Sequence, residues 1–140
     1  MDKLIIENKI ESLRKCLLRV ETRCPDSVAA LMQDIDAQDV LVLNLSRAIQ
    51  LCVDISVHIL SRLEQTIPDT MGKAFGELAS AGIIDDELAD EMRKAVGFRN
   101  IAVHDYEEIN YEIVYAIAQK KLVNFRLFVK QILVVIEAYE

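Results

Sequence analysis

Apolar positions recur at helical spacing through most of this chain, and no segment shows the strict alternation of a strand. Residues 2–22 set Leu4, Ile5, Leu13, Leu17 and Val20 among charged neighbours, which predicts an amphipathic helix closed at Pro25. Pro25-Asp26-Ser27 then caps a short helix through Gln33. From Asp39 to Glu64 there is neither Gly nor Pro, and one long helix is expected. Its polar residues Asn44, Arg47, Gln50, Asp54, His58 and Ser61 are spaced by three or four and form a stripe, facing solvent or a polar cleft. The rest of its circumference is Leu, Val and Ile, so the helix belongs at the centre of its domain or in a subunit interface.

Further along, Ile67-Pro68-Asp69-Thr70 is a linker with a proline stop, and Asp69 or Thr70 caps a short helix that reaches Ala81 and ends at Gly82. Asp85-Asp86-Glu87 crowds acids at the start of a helix running from about Asp86 through the Arg99 region, where they complement the positive end of the helix dipole. Asn110 caps the last helix, with Val114, Ile117, Leu122, Phe125, Val129, Ile132, Leu133 and Ile136 as its apolar face. The fold class is therefore all-α. Only four glycines and two prolines occur, too few for the many tight turns of a sandwich or barrel.

A length of 140 residues fits one domain, 1–140, with a core of useful size. The residues are 52% hydrophobic and 28% charged, which excludes a disordered chain. No run of eighteen apolar residues is present and the N-terminus is too charged for a signal peptide, so a cytoplasmic protein with no membrane contact is expected. Cys16, Cys24 and Cys52 are odd in number and lack CxxC spacing, and they read as reduced thiols.

The formal charge of −7 argues against a general polyanion binder. Its distribution is uneven. Residues 1–24 carry six basic and four acidic side chains, and Lys120, Lys121, Arg126 and Lys130 make a second basic cluster, so RNA could still be met in a focused cleft.

Metal-free RNA cleavage needs a base for the 2′-hydroxyl proton, an acid for the leaving 5′-oxygen and positive charge on the phosphorane-like transition state. His104 and Arg99 supply those side-chain types. Five residues rotate an ideal helix by about 140°, so this pair does not share a face, whereas Asn100 and His104, four apart, do. Asn100 could thus orient the imidazole. One chain offers a single histidine here, and a two-fold dimer would bring two Arg99-His104 pairs to one cleft. By spacing alone, a helix end in which Arg99 meets a carboxylate and His104 caps carbonyls is the better account of the pattern.

The segment Arg99-Asn100-Ile101-Ala102-Val103-His104-Asp105-Tyr106 resembles the RX4HXY motif of the HepT toxins within the HEPN superfamily. Arg47-Ala48-Ile49-Gln50 with Asp54 and His58 is similar to that family's long helix, and Leu78-Ala79-Ser80-Ala81-Gly82-Ile83-Ile84 to the stretch between, so the likeness runs from about residue 36 onward. It implies an antiparallel helical bundle, a HEPN four-helix core with short extra helices, that forms a two-fold homodimer and cuts RNA, not DNA, without metal or cofactor. Arg99 and His104 would be catalytic, and Asn100, Arg47 and Asp54 would support the site or bind substrate. Tyr106 would be the position that an MNT-type nucleotidyltransferase antitoxin modifies with AMP, adding bulk and negative charge beside His104.

Alternatives stand beside these assignments. Tyr106 also suits a half-buried packing residue, Tyr111 and Tyr115 read as packing or surface residues, and Asp54-His58 reads either as orienter and base or as a satisfied polar pair at an interface. Asp105, Glu107 and Glu108 could hint at a metal-dependent nuclease, but acids in one loop are usually solvated, and no zinc-ligand spacing occurs. At the level of the whole protein, a noncatalytic nucleotide- or partner-binding subunit of a nucleotidyltransferase, or a plain helical dimerisation module, would share the same fold.

Overall fold

The computed structural model describes residues 2–63 and 69–138. Helix α1 spans Lys3–Arg23, α2 Val28–Met32, α3 Ile35–Arg62, α4 Met71–Ser80 and α5 Asp86–His104. A 3-10 turn at Tyr106–Glu108 then leads to α6 (Tyr111–Ala116), a π turn (Ile117–Lys121) and α7 (Leu122–Ala138). No strand occurs among the described residues. The expected proline stop at Ile67-Pro68 lies outside them.

Capping sets the starts of these helices. Asp2, Ser27, Asp34, Asp85 and Asn110 each accept a backbone N–H of the following first turn, satisfying donors that an α-helix cannot pair internally. Asp34 moves the start of the long helix four residues ahead of the expected Asp39, which leaves Asp39 inside the second turn. Thr70 stands at the start of α4 without a side-chain cap. At the other end of α4, Ile83 N–H reaches Leu78 O at 2.9 Å and Gly82 N–H reaches Ala79 O at 3.0 Å, with Gly82 at φ +77°. This is the Schellman closure, and it requires the left-handed backbone that glycine adopts without a steric penalty.

Helix α3 is the axis of the bundle. Leu41, Leu45, Ala48, Ile49, Cys52, Ile55, Ile59 and Leu60 are fully buried along it, enclosed by α1, α4, α5 and the C-terminal helices. By length and composition α3 could cross a membrane, but this apolar surface is spent inside the protein's own core. Contacts from Lys9 to Asp54 and from Arg19 to Asn44 show α1 running antiparallel to α3. Asp85 with Gln131 and Glu91 with Asn124 do the same for α5 and α7. Phe75 on α4 meets Phe128 on α7 edge to face, ring centroids 5.9 Å apart, and closes the far side of the core.

Two expectations change here, and the one on the cysteines holds. Leu4 and Ile5 are exposed, and α1 buries Ile6, Ile10 and Cys16 beside Leu13, Leu17 and Val20, because Leu4 and Ile5 are turned about 160° and about 100° away from Ile6 around the helix. The single C-terminal helix is interrupted by the π turn, whose extra residue resets the buried face from Val114 to Ala118 and Leu122 and brings Phe128 inside. Ile117 and Leu133 sit at the edge of that face. All three cysteines are free thiols; burial pushes the Cys16 and Cys52 thiols up and keeps them protonated.

A Cβ at Gly82 would meet nothing within 4 Å, so its only cost is the backbone conformation. Gly82→Ala should lower unfolding free energy by about 1 kcal/mol. Gly97, equally open but in regular helix, should gain up to about 1 kcal/mol as Gly97→Ala. Urea unfolding of the two variants, with opposite signs expected, checks both.

Candidate active site

The signature segment sits at the C-terminal end of α5, and the start of that helix is pinned first. Asp85 accepts Leu88 N–H at 2.7 Å, and Gln131 of α7 both donates to its carboxylate at 2.7 Å and accepts its backbone N–H at 3.1 Å. The Gln131 amide, with Leu88 N–H behind it, holds the Asp85 carboxyl below the usual range. Leu88, Met92, Val96, Phe98 and Ala102 then bury one face of α5. Toward the end of the helix Arg99 is half-buried, and Asn100, Val103 and His104 are exposed.

Arg99 Nη1 donates to Asn100 Oδ1 at 3.2 Å. The Asn100 carbonyl therefore steadies the guanidinium, and no hydrogen bond joins Asn100 to His104 among the described residues. Among the described residues Arg99 meets no carboxylate either, so no ion-paired helix end forms there. His104 occupies the last turn of α5, exposed, beside the negative end of the helix dipole.

Tyr106 lies in the 3-10 turn directly after α5 and is 53% exposed. Its hydroxyl donates to Asp39 Oδ1 of α3 at 2.8 Å. That carboxylate, with the Tyr111 hydroxyl beside it, pushes the Tyr106 phenol up to about 12. Tyr111 and Tyr115 are partly buried against the core.

Asp39 is the residue that reading the sequence missed. On an ideal helix it lies about 20° from Gln50 and so continues the polar stripe toward the N-terminus of α3. Its partner, 67 positions away, could not be read from local spacing.

Arg47 and Asp54 stand elsewhere on α3. They line a groove of about 380 Å³ with Ser12, Lys15, Cys16, Arg19, Gln50 and Leu51, and no residue of the signature segment lines it. Asp54 accepts Gln50 Nε2 at 2.8 Å and faces Lys9 at 4.0 Å. It does not pair with His58, whose Nε2 is buried without a partner among the described residues, so neither expected Asp54-His58 arrangement forms. Asn44, expected on the open stripe, is buried and takes Arg19 on its oxygen at 3.5 Å. The second basic cluster is partly neutralised, Lys121 by Glu91 and Arg126 by Glu21. Asp105, Glu107 and Glu108 are exposed, and no three His, Cys, Asp or Glu side chains converge as metal ligands among the described residues.

Burial, then the neighbouring Arg62, push the His58 imidazole below its ordinary value. A lowered folded value means that the unfolded chain takes up the proton first as pH falls. The stability that neutral His58 contributes is thus complete above about pH 6.5 and is lost as pH drops through the folded value. His58→Leu should accordingly lose less stability than the wild type between about pH 7.5 and about pH 5.5, read as urea midpoints.

Comparison with known proteins fits this geometry. Residues 6–132 match the family described as Ribonuclease HepT-like. The chain is 38% identical over 125 residues to the mRNA nuclease HepT of Shewanella oneidensis, covering 89% of this chain and 93% of that protein. It is 29% identical over 132 residues to the tRNA nuclease HepT of Aphanizomenon flos-aquae, covering 94% and 90%. The solved structure of the tri-AMPylated Shewanella oneidensis HEPN toxin in complex with MNT antitoxin superposes with a TM-score of 0.87 at 38% identity, over 94% of this chain and 98% of that one. The cytosolic protein YutE of Bacillus subtilis shares the fold, with a TM-score of 0.87 at 15% identity over 99% and 93%. The chain belongs to the HepT-like ribonuclease family and has the HEPN toxin fold.

Proposed function

We propose that this chain is the toxin of a HEPN/MNT toxin–antitoxin pair, acting in the cytoplasm as an endoribonuclease that cuts RNA without a metal ion in a cleft shared by two protomers. The observation that carries this reading is the grouping of Arg99, Asn100, His104 and Tyr106 at the solvent-facing end of one well-anchored helix.

In this reading one protomer's His104 takes the 2′-hydroxyl proton and its partner's His104 protonates the leaving 5′-oxygen. Arg99, steadied by Asn100, holds its fork of donors toward the pentavalent phosphorus, where negative charge builds up in the transition state. Ile101 and Val103, 45% and 50% exposed among these polar residues, supply apolar surface for a two-fold contact around the cleft. The Lys15, Arg19 and Arg47 groove, with Asp54 at its edge, supports binding of the RNA strand away from the scissile bond. Local cation density of this kind meets a phosphate chain even though the net charge is −7, and it favours a restricted RNA target over indiscriminate degradation.

A cognate MNT-type nucleotidyltransferase silences the toxin by AMPylation of Tyr106. Each added phosphate brings negative charge and bulk two residues from His104, where RNA phosphates must pass.

The test is cleavage of total cellular RNA by purified protein in EDTA, with products examined for 2′,3′-cyclic phosphate ends. Wild type should cleave, and Arg99→Ala and His104→Ala should each lose about 100-fold or more in rate. Arg47→Ala should weaken KM more than kcat, since it touches substrate outside the reacting bond. Wild-type cleavage that stops in EDTA, or that continues unchanged in both alanine variants, would overturn the mechanism.

A further inference from the structure

The hydrogen bond from Tyr106 to Asp39 has two features that a packing contact would not need. The ring is 53% exposed, so its oxygen can be approached from solvent, and the hydroxyl proton is already aimed at a carboxylate oxygen 2.8 Å away. Asp39 is itself exposed on α3, and no Lys or Arg is ion-paired with it among the described residues. Among the described residues no cation competes with Tyr106 for its carboxylate. A free phenol with such a partner is poorly ionised near neutral pH, so its oxygen becomes a useful nucleophile only if the proton leaves as the new bond forms.

We propose that Asp39 is the proton acceptor for nucleotidylation of Tyr106, a role that rests on the reading of Tyr106 given above. Tyr106 Oη attacks the α-phosphorus of a nucleoside triphosphate presented by the partner nucleotidyltransferase. The Oη–P bond forms, the bond from the α-phosphorus to the bridging oxygen of the β-phosphate breaks, and pyrophosphate departs with that electron pair. The phenolic proton passes to the Asp39 carboxylate and from there to water. The toxin thus supplies the base for its own silencing, much as a positioned aspartate accepts the substrate hydroxyl proton in protein kinases. The contact also fixes the direction of the Oη lone pairs, because the single O–H is committed to Asp39.

The experiment incubates the full chain with its cognate MNT-type nucleotidyltransferase and Mg-ATP, and follows adenylyl incorporation by intact mass across a range of pH. Wild type is compared with Asp39→Asn, Asp39→Glu and Tyr106→Phe. Asp39→Asn keeps the shape and a carbonyl acceptor, so thermal melting should show an intact fold while the initial rate near neutral pH falls by about 100-fold. Its rate should climb with pH, as hydroxide takes over the missing base, whereas the wild-type rate stays level over the same interval. Asp39→Glu should recover part of the rate and the level profile. Ultraviolet titration should show the Tyr106 phenol of Asp39→Asn ionising below the wild-type value of about 12. Modification of Asp39→Asn at the wild-type rate and with the wild-type pH profile overturns the role of Asp39 alone. Absence of adenylylation in wild type, or undiminished adenylylation of Tyr106→Phe, overturns the reading of Tyr106 and the role of Asp39 with it.

Discussion

The covering of α3 is the constraint from which the rest of the structure follows. A helix apolar on most of its circumference is stable in water only when neighbours enclose it, and each Leu or Ile so enclosed contributes roughly 1.5–3 kcal/mol. Four sides of α3 are accordingly occupied, by α1, α4, α5 and the C-terminal helices. What remains open is the narrow polar stripe, and both features of functional interest lie along it. At its N-terminal end Asp39 receives Tyr106 from the end of α5. About 12 Å further along the helix, by its rise per residue, Arg47 joins Lys15 and Arg19 in the basic groove.

Helix existence and type were legible because periodic burial and capping residues are local signals. The acids at Asp85-Asp86-Glu87, the Asn110 cap and the Gly82 stop each sit where the structure uses them. What failed was information that depends on a partner in space. Leu4 and Ile5 fit an amphipathic pattern, yet the face that packs in the first turn of α1 is the one carrying Ile6. The π turn at Ile117–Lys121 leaves no mark in composition, since it answers the packing demands of several helices at once. Asp54 and His58 have the spacing of a helical pair, but the Asp54 carboxylate is drawn to Gln50 and Lys9.

The site shows the same division. Arg99, Asn100, His104 and Tyr106 are close in sequence and were found by their residue types and by a resemblance, while the relation among them was not. The Arg99–Asn100 contact replaces an Asn100–His104 contact because the guanidinium reaches the adjacent carbonyl directly, whereas the imidazole points to solvent from the last turn. Asp39, far away in the chain, reads as a helix start by its spacing, and the structure places the cap at Asp34.

The placement of the two histidines bears on how many chains a reaction needs. His58 stands roughly 28 Å along α3 from Asp39, by the rise of an α-helix, and Asp39 is where the end of the signature segment docks. A proton transfer works over hydrogen-bond distances or through one water. His58 therefore cannot serve the same reacting bond as His104 in one protomer, and its Nε2, buried and without a partner among the described residues, marks it as part of the packing between α1 and the end of α3. Acid–base chemistry that uses two imidazoles on one phosphodiester must then draw the second from another copy of the chain. The exposed Ile101 and Val103 lie among the polar residues of that same helix end, so the surface that would bring two copies together and the surface that would do chemistry are one.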